Sequence, residues 1–114
     1  MTDRAMTEQA FFVLTALVDG PRHGYGIVGE VAELSDGRVP LKVGTLYGVL
    51  DRLVGDGLVA PDREEVTNGR LRRYFRLTEQ GRNRLALEAQ RLQANARAAS
   101  ARLKAWRAAE AGPA

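Results

Sequence analysis

The stretch "EEVTNGRLRRYF", residues 64–75, constrains the fold of this chain more than any other. Asn68-Gly69 stands between two runs that read as extended. Asn-Gly in that setting is the strongest short-range signal for a two-residue hairpin, because both turn positions need a positive φ. In the second run Leu71, Arg73, Phe75 and Leu77 alternate onto one face, and Phe75 and Leu77 are expected to meet the core.

Helical patterns surround the hairpin. Residues 7–19 open on Thr7, a good cap, and carry Phe11, Leu14 and Val18 as an apolar stripe widened by Leu17; Gly20-Pro21 ends the segment. A second helix is expected from His23 to Leu34, with Ile27, Val31 and Leu34 on one face and Ser35-Asp36-Gly37 closing it. "RVPL" reads as a short extended link, since the residue before Pro40 is pushed out of the α region. A third helix covers Lys42 to Gly55, with Leu46, Leu50 and Leu53 as its core stripe. After the hairpin, Thr78 caps a long helix with Glu79 in its first turn, expected to run to about Ala109 or Glu110. Along it Leu85, Ala89, Leu92, Ala96, Ala99, Leu103 and Trp106 repeat at alternating steps of four and three. That is a heptad seam, and without a partner helix its Leu and Trp would be exposed. The seam therefore predicts a homodimer, with Phe11 and Leu14 of the first helix assigned to the same interface.

Three compact helices followed by a hairpin are the parts of a winged helix-turn-helix, a mainly α fold with a β-hairpin. The division expected is a DNA-binding domain over 1–78, a dimerisation helix over 79–110 and a disordered tail over 111–114. In such a fold the third helix enters the major groove. Leu46, Leu50, Leu53 and Val54 give its core face. Lys42, Thr45, Tyr47 and Gly48, with Asp51 and Arg52 further along, are candidates for the DNA face. Thr and Tyr hydroxyls can bond phosphates or base edges, and a helix N-terminus suits phosphate. Gly48 costs about 1 kcal/mol of helix propensity relative to Ala. Close approach to the groove and simple tolerance of a weak residue both remain open as reasons for it. Asp51 has no ready explanation, because an acid is unfavourable near phosphate; the groove centre, a cytosine amine and Arg52 are its possible partners.

Charge points the same way. The chain carries +3 overall, with three arginines and six acids in residues 1–40, which leaves +6 on residues 41–114. Residues 66–84 hold six arginines and one acid, a block suited to phosphate. Arg70, Arg72 and Arg73 lie at and beside the hairpin turn. Catalysis finds little support. The 114 residues contain no cysteine and one histidine, His23, which excludes disulfides and thiolate sites and argues against a metal centre. His23 reads as a turn residue before a helix. Glu64-Glu65 reads as a solvated strand edge. No cofactor is expected. Neither a signal peptide nor a membrane span is apparent, so a cytoplasmic location is expected.

With these residues in place, the chain resembles the PadR family of bacterial transcriptional regulators. The matching segments are "HGYGI" (23–27), "GTLYGVLDRLVGDGLV" (44–59) and "GRLRRYFRLTEQGR" (69–82). The resemblance implies a homodimeric winged-helix repressor on an inverted-repeat operator, often released by a small aromatic molecule, here expected at the dimer interface. It implies a phosphate contact for Tyr25, recognition-helix roles for Thr45 and Tyr47, and wing roles for Gly69, Arg70, Arg72 and Arg73. The single C-terminal helix looks like the family's compact branch. Two departures stand out. Lys42-Val43 replaces the Ser-Pro that often precedes the recognition helix. The one tryptophan, Trp106, lies two heptads beyond the place, near Leu92, where some compact members sandwich flat ligands. The alternative reading is a winged-helix module that binds an acidic partner protein instead of DNA.

Overall fold

The computed structural model describes residues 6–112. Its elements are α1 (Glu8–Ala16), β1 (Arg22–His23), α2 (Gly24–Leu34), α3 (Val43–Gly55), β2 (Val59–Thr67), β3 (Arg70–Leu77) and α4 (Glu79–Ala111). The winged helix-turn-helix with a long C-terminal helix is thus present. Helix starts follow local chemistry: the Thr7 hydroxyl accepts from the Ala10 N–H at 3.0 Å, and the Thr78 hydroxyl accepts from the Gly81 N–H at 2.9 Å. The hairpin turns on Asn68 and Gly69 at φ 52° and 77°. Gly112, at φ 67°, ends α4. Of the expected tail, residues 113 and 114 lie outside the described residues, and Ala111 is still helical.

One core joins the elements. Leu14 and Leu17, Ile27 and Val31, and Leu46, Leu50 and Leu53 meet Leu58, Val59, Phe75 and Leu77 from the hairpin. Val39 and Leu41, from the extended link, close the cluster. Each such buried side chain contributes roughly 1.5–3 kcal/mol.

Two expected core positions are corrected. Val18 is 47% exposed, because α1 stops at Ala16 and the chain tightens. Leu17 and Val18 donate to Leu14 and Thr15 in three-residue steps, which swings Val18 outward while Val13 and Ala16 turn in. Leu34 is 41% exposed, whereas the adjacent Ser35 is fully buried. The Ser35 hydroxyl accepts from the Val39 N–H at 3.1 Å and so fastens the α2–α3 connection. The sequence reading also lacked β1. Arg22 and His23 pair antiparallel with Phe75 and Tyr74, which makes β3 the central strand of a β1-β3-β2 sheet.

The base of the hairpin is tied to the start of α4. The Thr78 hydroxyl donates to the Gly57 carbonyl at 2.7 Å, and the Thr78 N–H donates to the Leu58 carbonyl at 3.1 Å. Gly81 packs so closely here that a Cβ on it would lie 2.0 Å from the Leu58 carbonyl oxygen and 2.8 Å from Leu77 Cδ1. Gly81→Ala, although favourable to an isolated helix, is expected to destabilise the protein by about 2–4 kcal/mol in urea unfolding.

Candidate nucleic-acid interface

The outer face of α3 is small. Gly44, Thr45, Gly48, Asp51 and Arg52 are exposed. A Cβ added at Gly44 or Gly48 would meet nothing within 4 Å. Lys42 sits at the cap position and makes no side-chain cap bond, so no side chain of its own cap occupies the first-turn N–H groups.

Tyr47 departs from the outward orientation expected. Its ring is half-buried and meets Phe75 edge-on, with centroids 6.3 Å apart. Its hydroxyl lies 2.9 Å from where a Cβ on the buried Gly24 would stand, so that glycine makes room for it. The ring fills the junction of α2, α3 and β3. Along one side of that junction runs a cleft of about 130 Å³. It gathers five of the proposed contact residues from three elements: Tyr25, Tyr47, Arg70, Arg72 and Arg73, with His23 and Leu71 beside them. Tyr25 is 63% exposed and free to meet a ligand. Thr45, Gly48 and Arg52 stay outside the cleft on the open α3 face, and Gly69 is at the turn.

The wing's charge is partly answered within the hairpin. Glu64 faces Arg73 and Glu65 faces Arg72 across the ladder. Arg73 reaches Glu64 at 3.4 Å, and Arg63 holds both Glu65 at 2.7 Å and Asp62 at 2.9 Å. Glu64-Glu65 is thus a counter-charge to the wing and not merely a solvated edge. Arg70, exposed and next to the turn, has no ion-pair partner among the described residues.

His23 does more than end a turn. Its Nδ1 accepts from the Gly26 N–H at 3.3 Å, capping α2, and its Nε2 lies 2.8 Å from an Arg72 guanidinium nitrogen. The ring also stands edge-on to Tyr74. It links β1, the start of α2 and β3, a role invisible until β1 pairs. Burial, then the neighbouring Arg72 charge, push its pKa below the ordinary 6.5.

The proposed dimerisation residues divide. Leu14 is fully buried in the core of its own chain and cannot serve an interface, which corrects that assignment. Phe11 is half-buried, edge-on to Phe12. Leu85 packs against the core, and Ala89 is partly covered. Leu92, Ala96, Ala99, Leu103 and Trp106 are all exposed, as is every described residue from Gln90 onward.

The family model for PadR-like transcriptional regulators matches residues 13–87. The chain belongs to the PadR-like family. Its match runs from the second half of α1 to the start of α4, including both sides of the cleft. The chain is similar to an uncharacterized 37.1 kDa transposon protein of Streptomyces fradiae, 47% identical over 77 residues, which are 68% of this chain and 21% of that protein. It therefore spans about a fifth of that relative's length. A PadR family regulator of Clostridium difficile shares the fold with a TM-score of 0.73 at 23% identity, over 85% of this chain and 99% of the other. Bacillus subtilis PadR in complex with operator DNA aligns with a TM-score of 0.60 at 22% identity, over 68% of this chain and 44% of that one.

The lowered His23 pKa gives this PadR-like chain a pH signature. A neutral imidazole offers one ring lone pair, and protonation removes it. Protonation also places a cation against Arg72. Because the folded pKa is depressed, the unfolded chain binds more protons between that value and 6.5. Stability should accordingly fall as the pH drops from 6.5 through the folded pKa, then level off. One histidine means one imidazole titration by NMR, expected below 6.5. His23→Asn, which can still cap, should flatten the stability change in that window.

Proposed function

We propose that this PadR-like chain is a homodimeric repressor that binds duplex DNA at an inverted repeat. The observation that carries the reading is the meeting of Tyr25, Tyr47, Arg70, Arg72 and Arg73 in one cleft beside the small outer face of α3. Hydroxyls and guanidiniums there suit a phosphate strand, while Thr45, Gly48 and Arg52 enter the major groove alongside. The operator complex of the Bacillus subtilis protein supports this reading of the shared fold. Residues 6–78 act as the DNA-binding part, and α4 pairs with its copy through Leu92, Ala96, Ala99, Leu103 and Trp106. The two recognition helices then sit about one DNA turn, roughly 34 Å, apart. A small aromatic effector at the α1–α4 interface would release the DNA, and the protein acts in the cytoplasm.

Gel shift against DNA from its own upstream region tests the reading. Failure to shift any DNA while an acidic protein partner is retained would favour an interaction module instead. Arg70→Ala should lower affinity on all sequences and reduce the salt slope by about one. Arg73→Ala should do less, because Glu64 already holds that side chain. Gly48→Ala separates groove approach from a tolerated weak residue. It should raise stability by about 0.5–1 kcal/mol, since nothing obstructs the methyl, yet weaken operator binding about tenfold. Light scattering should give the mass of two chains, and Leu103→Asp should return that of one.

A further inference from the structure

On the other side of Tyr47, between α3 and the hairpin, lies a larger groove of about 480 Å³. That is the size of a small-molecule site. Tyr47, Val54 and Phe75 give it an apolar and aromatic lining, and Asp51, Asp62 and Glu64 bring three carboxylates. Its two guanidiniums are already engaged, Arg63 by Asp62 and Glu65, Arg73 by Glu64. Asp51 is the carboxylate left over: exposed, and without an ion pair among the described residues, Arg52 included. The Tyr74 ring in the same wall already carries a cation, the Arg63 guanidinium, 4.0 Å from its centroid.

We infer that this groove is a binding site for a small planar aromatic cation, stacked on the apolar wall and held by Asp51. A phosphate strand is repelled by the carboxylates that line it, so the groove selects against the ligand the neighbouring cleft accepts. Tyr47 and Arg73 line both spaces, which places the groove next to the DNA-contacting surface. The site lies within one chain and is separate from the α1–α4 interface. It stands or falls without reference to DNA.

The test is a fluorescence titration of the whole protein, free of DNA, with berberine, a planar permanent cation. Saturable binding of one molecule per chain is expected. Asp51→Asn should weaken it on the order of tenfold. Asp51→Lys should abolish it, with circular dichroism confirming that both variants fold. Naphthalene-2-carboxylate should fail to compete. Trp106→Leu, which keeps the seam apolar but removes the indole, should leave berberine binding unchanged. Binding that ignores both Asp51 variants, that disappears with Trp106→Leu, or that the anion matches would overturn the proposal, as would the absence of saturable binding.

Discussion

Three hydrogen bonds and one missing side chain hold the hairpin base against the start of α4, and both outer parts of the molecule depend on them. Thr78 donates its hydroxyl to the Gly57 carbonyl and its N–H to the Leu58 carbonyl, while the same hydroxyl receives the Gly81 N–H. Each such bond is worth about 1 kcal/mol net, and each left unmade in a covered place costs more. Gly81 lets the backbone of α4 reach the Leu58 carbonyl at a separation no Cβ would permit. The exit of α3, the entry of β2, the return of β3 and the departure of α4 are therefore one joint. The wing's position over α3 and the direction of α4 are set together.

Charge on the wing is partly balanced within the hairpin. Arg72 and Arg73 stand opposite Glu65 and Glu64 in an antiparallel ladder, and Arg63 pairs with Asp62 and Glu65 along its own strand, so the hairpin does not bear the full repulsion of its arginines. Exposed pairs of this kind contribute between nothing and about 1 kcal/mol. Arg72 also lies against the His23 ring, and Arg70 has no ion-pair partner among the described residues.

Local chemistry was readable from the sequence; choices made across the fold were not. The caps formed by Thr7 and Thr78 and the turn on Asn68 and Gly69 involve residues within three positions, and all appear as expected. β1 has two residues, too few to show alternation, and exists only because β3 offers it an edge. From the sequence Tyr47 is expected to point away from the leucine stripe, but Phe75 and the space at Gly24 draw its ring inward. Leu14 illustrates a further limit. An apolar stripe on α1 cannot say whether it packs on its own core or on a second copy, and here its own core takes it. The charge count misled for a related reason: Asp62, Glu64 and Glu65 lie just before the basic block, and the hairpin register folds them back over it.

α4 poses the remaining energetic question. Its 33 residues extend about 50 Å, and only the first part rests on the core. Alanine, arginine, leucine and glutamine favour helix, and Glu88 pairs with Arg91 one turn on, so the exposed part can hold its own backbone bonds. Propensity does not explain why Leu92, Leu103 and Trp106 share one register. Burying those three on each of two copies would yield at most roughly 9–18 kcal/mol before costs, and less because each is already partly covered. Association itself takes an estimated 4–15 kcal/mol or more. The seam alone is thus close to balance, and its small alanines add little area. A stable pair needs further apolar surface near the core. Phe11, half-buried on α1, which packs against α4, is the residue placed to supply it.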